Sequence, residues 1–421
     1  MEFTTSSRTR HACAPVAVRR IGDDGSMRVA IVAESFLPHV NGVVNSVLRV
    51  VDHLETTGHT AVVIAPDTPR GQPSGPRIVG RRTPVHLVPS VRVPRVTSLP
   101  VGVPAPVLYR ALRDFGPDVV HLASPFVVGA AGALAAKKLG VPAVAVFQTD
   151  VAGFAAAYRL GAVEQLAWRY TRHLHELCDL TLAPSTVAME ELAAHGVPRL
   201  RRWGRGVDAE LFTPARRDDR LRATWTGGSG ALIVGFVGRL APEKHVERLA
   251  SLAHDLTVQL VVVGDGPERA RLERLMPHAV FTGELRGADL ARAYASLDIF
   301  VHAGEHETFC QAIQEAMASG LPVVGPDAGG PRDLVAPFRT GYLLAPGEFS
   351  ARLPEVINTL RDDAVRAAFG RAAVSAVRAR TWPAVCAELV EHYCQAMGWR
   401  RGSRSGRVAC CLLYTSPSPR D

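Results

Sequence analysis

Asp298–Asp327 reads DIFVHAGEHETFCQAIQEAMASGLPVVGPD. The apolar run DIFVHAG has the composition of a buried strand. A polar loop carrying Glu307 follows, then a helix from about Thr308 to Ser319, a glycine stop at Gly320 and a second apolar strand, PVVGPD. Strand, helix and strand in that order, with continuously apolar strands, form the unit of a parallel sheet covered on both faces. Glu307 and Glu315 bracket the start of this helix. If both were helical they would lie about 12 Å apart along the axis and about 80° apart around it. Such a pair is poorly placed to share one metal ion. It suits two separate hydroxyl-bearing parts of an elongated ligand, with phosphates between them at the helix start.

The same alternation extends outward. From Met27, strands are expected at VAIVAE, TAVVIAP, PDVVHLAS, PAVAVFQ and LTLAPS, with helix-like stretches between them. After RWGRGVDAELFTP comes a polar linker containing TGGSG. The pattern then restarts with ALIVGFVGRL, VQLVVVGDGP, HAVFTGE, DIFVHAG and PVVGPD. This predicts an α/β chain of two Rossmann-like domains, at 27–208 and 231–380, joined by a linker at 209–230 and followed by an apolar helix at 381–399.

The ends read differently. Residues 1–26 are polar and aperiodic, and are expected to be disordered or the product of a start called too early. Residues 400–421 are expected to be a disordered tail. Within it, Cys411–Ser416 can be encoded by TGTCTCTTATACACATCT. That string resembles the transposase adapter of short-read library preparation, and Pro417–Asp421 can be encoded by its continuation. The expectation is that 411–421 is adapter read-through and carries no function.

The net charge of +8 sits largely at these ends. Four arginines oppose three acids at 1–26, and five oppose one at 400–421, which leaves the body at +3 and gives no sign of a nucleic-acid binder. Seven cysteines form no CxxC and no Cys/His metal pattern, so a reducing compartment without a disulfide framework or structural zinc is expected. No segment has the uninterrupted apolar length of a membrane span.

In doubly wound sheets, ligands bind outside the carboxyl ends of the strands. The loops there carry the chemistry. Gly42, in HVNGVVNSV, allows close backbone approach next to a helix start, and the spacing lacks the GxGxxG dinucleotide fingerprint. Arg239 and Lys244, in GRLAPEKH, are two cations suited to a diphosphate. Gly264 and Gly266, in VVVGDGPE, permit a tight supporting turn. Gln148 and Asp150, in FQTD, bring polar groups to the cleft, though Thr149 and Asp150 are also good helix caps. Taken singly, each of these has a plain structural reading as a turn, a cap or a solvated pair.

Taken together and in this order, NGVVNSV, FVGRLAPEKH, VVVGDGPE, FTGEL and ETFCQAIQEAMASGLPVVGPDAGGPRDLV resemble the retaining glycosyltransferases of family four, over Met27 to about Trp399. AVFQTDVAGFAAAYRLG and ETFCQAIQEAMASG are most similar to the GDP-mannose-dependent α-mannosyltransferases of membrane mannolipid synthesis. The resemblance implies a GT-B fold, with two Rossmann-like domains facing across a cleft and the last helix crossing back to the first domain. It implies a catalytic set of Glu307, Arg239, Lys244, Gln148 and Asp150. The donor would be held by Arg239 and Lys244 at the diphosphate, Glu315 at the ribose, Glu307 at the transferred sugar, and backbone at Phe309, Cys310 and Gln311. Gly42 would let the first domain close, and backbone near Glu284 and Leu285 would read the base. Many members have histidine where this chain has Gln148, whose amide can hydrogen-bond a sugar hydroxyl. The implied co-substrate is a nucleotide sugar, GDP-mannose by resemblance, with no metal and no other cofactor. The alternatives are a UDP-sugar-dependent transferase and a GT-B epimerase.

The implied acceptor is lipid-linked. Thr68–Arg113 contains eight arginines and no acid, interleaved with apolar residues. Arg81, Arg82, Arg92 and Arg95 are therefore expected to attract an anionic membrane surface, or else to solvate an exposed edge. The expected location is cytoplasmic and peripheral, on the inner face of the plasma membrane.

Overall fold

Each apolar run becomes a strand, and the central ones are buried on both faces, while HAVFTGE forms a half-buried edge strand. The computed structural model describes residues 25–37, 41–67, 82–91, 101–103, 106–148 and 161–402. In the first domain the strands are β1 (Arg28–Ala33), β2 (Thr60–Pro66), β3 (Val85–Val88), β4 (Ser90–Val91), β5 (Val101–Gly102), β6 (Val119–Ala123), β7 (Ala143–Val146), β8 (Leu180–Ala183) and β9 (Leu200–Arg202). Seven of them form one parallel sheet in the order β3-β2-β1-β6-β7-β8-β9, while β4 and β5 pair as an antiparallel ribbon. The second domain contributes β10 (Leu232–Val237), β11 (Val258–Val263), β12 (Val280–Gly283), β13 (Ile299–Val301), β14 (Val323–Pro326) and β15 (Gly341–Leu344). These order as β12-β11-β10-β13-β14-β15, again parallel.

Successive strand side chains point to opposite faces, and both faces are covered. In the first sheet, Val29, Ile31 and Val63 enter one core, and Ala30, Val32 and Val62 the other. Strand order reverses between β1 and β6 and between β10 and β13. Each reversal opens a crevice at the strands' carboxyl ends; Gly42 follows β1, Arg239 and Lys244 follow β10, and Glu307 follows β13 there.

The helix Trp382–Gly402 crosses back to the first domain. Its Val385, Leu389 and Tyr393 lie in the first domain's core with Val29 and Val144. Two buried hydrogen bonds fix it: Tyr393 Oη with His121 Nδ1 at 2.6 Å, and Trp203 Nε1 donating to Val385 O at 2.8 Å. Burial lowers His121 to about 3, so its ring is neutral. The two passages between domains touch, with Val207 bridged to Thr381. Any Cβ at Gly206 would lie 2.5 Å from Trp382 Cα, so only glycine fits. Among the described residues, no helix is long and apolar enough to cross a membrane.

One local expectation is corrected. The helix expected from Thr308 begins at Gln311 and ends at Ala318. Cys310 has a φ of +76°, and Gly330 N–H donates to Glu307 O at 2.6 Å, so Glu307–Cys310 is held as a loop. Glu307 and Glu315 are thus not on one helix, and the helical spacing drawn between them does not apply. Asp150, Arg81, Arg92, Arg95 and the stretches 1–24 and 403–421 lie outside the described residues.

Candidate active site

The site begins where β10 ends. The chain turns at Gly238 and forms a short 3-10 turn, Pro242–Lys244. Gly264, at φ +137°, lets the loop after β11 pack against this turn, since a Cβ there would lie 1.9 Å from Gly238 O. Lys244 is thereby aimed inward, where Nζ donates to Glu307 Oε1. The loop after β13 brings Glu307 to meet it. Arg248 braces that loop, donating to Ala303 O at 2.8 Å and lying 3.7 Å from Glu305.

Burial opposes charge on Glu307. Lys244, together with His302 Nε2 at 3.3 Å, outweighs it and holds the carboxyl down at about 2. Burial likewise opposes the charge on Lys244, and Glu307 more than restores it, so its pKa is raised. The pair is ionised at neutral pH. His302, Glu307 and Cys310 also bring ligand-type atoms within 4.8 Å of one another. A divalent cation among them would face the Lys244 ammonium on the same carboxylate, and burial pushes the Cys310 thiol far above its ordinary value.

The helix Gln311–Ala318 has no side-chain cap hydrogen bond, so the positive end of its dipole is left without one beside Glu307 and Lys244. Glu315 lies one turn along it. Burial pushes its carboxyl up to about 7, against a lowering contribution from Tyr294. The first domain's helix Gly42–Thr56 behaves differently. Asn41 accepts from Val43 N and Val44 N at 3.0 Å each, so those two groups are occupied by the cap.

The remaining expected residues divide. Gln148 is buried at the end of β7, and Thr308 Oγ1 reaches its carbonyl from the other domain at 3.4 Å. Phe309 and Cys310 are buried at the helix start. The Gln311 side chain does not enter the cleft as a free group; its Nε2 donates to Gly206 O at 3.0 Å, tying the domains together. Arg239 is 60% exposed and paired with Glu243, apart from the Lys244–Glu307 pair. Glu284 is exposed and pairs with Arg286, while Leu285 packs on the second domain's core.

Three residues that the sequence reading did not single out within their motifs also belong to the cleft: Arg205, His302 and Gln314. Gln314 Nε2 donates to Arg205 O at 2.9 Å, and Arg205 donates to Gly42 O and to Gln148 Oε1 at 3.0 Å each. Burial lowers Arg205 to about 10 while Glu307 raises it, so it remains a cation. In RWGRGVDAELFTP, the arginine between two glycines was a signal available in the sequence.

Two doubly wound sheets with their crevices turned to one cleft, a buried cation–carboxylate pair beside an uncapped helix, and a helix recrossing between domains define a glycosyltransferase of the GT-B fold. The comparisons agree. Residues 40–211 match the model of Glycosyltransferase Family 4, and residues 219–375 that of Glycosyl transferases group 1. A GDP-mannose-dependent alpha-mannosyltransferase of Mycolicibacterium smegmatis is 63% identical over 375 residues, covering 89% of this chain and 99% of that one. A GDP-mannose-dependent alpha-(1-6)-phosphatidylinositol dimannoside mannosyltransferase of Mycobacterium tuberculosis is 29% identical, covering 71% and 79%. The crystal structure of Anabaena Alr3699/HepE in complex with UDP shares the fold, with a TM-score of 0.71 at 21% identity, covering 88% of this chain and all of that one. The chain belongs to glycosyltransferase family 4 and is a hexosyltransferase.

Proposed function

We propose that this enzyme is a retaining α-mannosyltransferase that moves mannose from GDP-mannose to a lipid-linked acceptor. The observation that carries the donor assignment is the 63% identity, over nearly the whole of both chains, to a GDP-mannose-dependent alpha-mannosyltransferase. The lipid acceptor draws support from the phosphatidylinositol dimannoside named for the more distant relative.

In this reading the diphosphate lies over the start of the helix Gln311–Ala318, with Lys244 beside it and Arg239 turning in from its surface pair. Glu315 takes the ribose hydroxyls, Glu307 the hexose hydroxyls, and backbone at Phe309, Cys310 and Gln311 contacts sugar and phosphate. Backbone at Glu284 and Leu285 reads the base, and Gly42 lets the first domain approach. Gln148 and Asp150 complete the sugar end. As the bond from sugar C1 to the diphosphate breaks, cations and helix N–H groups stabilise the departing charge, the acceptor hydroxyl oxygen bonds to C1 on the same face, and its proton passes to the departing phosphate oxygen. The enzyme then works on the inner face of the plasma membrane, held there by Arg81, Arg82, Arg92 and Arg95.

The test is a donor panel. Purified protein is offered GDP-mannose, GDP-glucose, UDP-glucose and UDP-galactose with a glycolipid acceptor in mixed micelles. Transfer from GDP-mannose with the α configuration kept is expected. Preference for a UDP-sugar, or an inverted product, would overturn the proposal.

A further inference from the structure

Arg205 stands at the junction of three elements. Nη1 donates to Gly42 O and Nη2 to Gln148 Oε1, both at 3.0 Å, while its own carbonyl accepts from Gln314 Nε2 at 2.9 Å. A Cβ at Gly42 would lie 2.8 Å from Nη1, so glycine there makes room for the guanidinium. A guanidinium has donors and no acceptor. The Gln148 atom facing it must therefore be the amide oxygen, which settles the orientation of that amide on chemical grounds.

The consequence falls on the other side of the amide. Gln148 Nε2 points away from Arg205, is buried, and has no hydrogen-bond partner among the described residues. Gln148 itself is 8% exposed. Arg205 Nη2 holds the amide oxygen at 3.0 Å, so the nitrogen cannot turn elsewhere without breaking that bond. Buried donors without partners are rare, because they lose hydration and gain nothing in return. Gln148 follows β7 at the carboxyl edge of the first sheet, and Thr308, the residue after Glu307, reaches its carbonyl, so a ligand beside Glu307 can supply the missing acceptor.

We propose that Arg205 is a positioning residue that orients Gln148, so that the Gln148 NH2 donates to a hydroxyl oxygen of the hexose being transferred. This rests on the reading that the cleft binds a sugar nucleotide. Glu307 and Gln148 then act with opposite polarity: the carboxylate accepts hydroxyl hydrogens and the amide donates to a hydroxyl oxygen. A sugar ring bearing several hydroxyls can be held between them from both domains. Gln148 serves as a fixed donor in this arrangement and exchanges no proton.

The test uses Gln148→Glu, Arg205→Lys and the double variant, with the sugar nucleotide that wild type turns over fastest in the donor panel. An error in the donor assignment therefore does not touch the result. Gln148→Glu keeps an oxygen toward Arg205 but puts an acceptor where the donor was. Its kcat/KM for transfer is expected to fall on the order of a hundredfold. Affinity for the free nucleoside diphosphate, which lacks the sugar, should stay within about twofold of wild type. Arg205→Lys should show the same split, and the double variant should be no more than about threefold worse than the poorer single variant. With monodeoxy donors, one position should remove the penalty of Gln148→Glu. Wild-type turnover by Gln148→Glu, losses that multiply in the double variant, or an equal fall in diphosphate affinity would each overturn the proposal. Thermal melting checks folding, and the isosteric Gln148→Glu decides the matter alone if Arg205→Lys is not stable.

Discussion

Replacing Lys244 with methionine keeps most of the side-chain stem and removes the ammonium. Glu307 is then a buried carboxylate without its main partner. In the intact protein Glu307 sits at about 2, against 4.5 for an ordinary glutamate. A depression of that size corresponds to on the order of 3 kcal/mol of folding free energy at neutral pH. Both side chains are largely buried, 23% and 18% exposed, so solvent screening takes little from the figure. Because the folded value is depressed, this stabilisation is complete above about 4.5 and is lost as pH falls through about 2. Lys244→Met should therefore melt several degrees below wild type at neutral pH, and the gap should narrow in acid. The double variant Lys244→Met/Glu307→Gln, which removes both charges, should recover most of the stability. It should not recover transfer, which is expected to fall on the order of a hundredfold in both. Melting curves across pH, with donor turnover measured in parallel, read these quantities. An equal melting deficit in acid and at neutrality, or a double variant as unstable as the single, would refute the argument that the pair's charge holds the site together.

Glu315 should give the opposite pH dependence: burial raises it to about 7, so its contribution to stability is full below about 4.5 and is lost as pH rises through about 7. If it must be ionised to accept ribose hydroxyls, the donor KM should fall as pH rises from about 6 to about 8, and Glu315→Gln should flatten that profile; a matching slope in the variant would exclude Glu315 as its source. Gly264→Ala places a Cβ against Gly238 O at a φ of +137°, and should cost more than about 2 kcal/mol in a denaturant melt. Binding to vesicles should require anionic lipid, weaken with added salt, and fall when Arg81, Arg82, Arg92 and Arg95 are changed to glutamine; equal sedimentation with neutral vesicles would count against the membrane surface. Of these four, only Arg82 is among the described residues, where it is exposed.

The central strands could be read directly from the sequence. VAIVAE, TAVVIAP, ALIVGFVGRL and VQLVVVGDGP each carry a near-continuous apolar run because both faces of β1, β2, β10 and β11 are covered. The edges could not. Leu200–Arg202 and Gly341–Leu344 are short, carry mixed patterns, and become β9 and β15 only because a neighbouring strand offers them a ladder. A final helix was legible in the apolar 381–399 and its crossing was implied by the resemblance, but the contact that seats it, Tyr393 on His121, joins positions 272 residues apart.

At the site, residue types and loop positions were visible in the motifs, and resemblance supplied their roles. The pairing was not visible. Lys244 meets Glu307 because β10 and β13 are neighbours in the sheet, so their carboxyl-end loops share one crevice. The helix start was misplaced because Thr308–Cys310 has ordinary helix-compatible side chains, and the contact from Gly330 that holds it as a loop comes from beyond β14. Arg205 and Gln148 lie 57 positions apart. The sequence by itself determined the buried strands, the two-domain plan and the identity of the charged loops, because burial and turn chemistry act over a few neighbouring residues. Which charge faces which, and which amide nitrogen is left facing the cleft, were decided only when two sheets and a recrossing helix brought distant loops within hydrogen-bond reach.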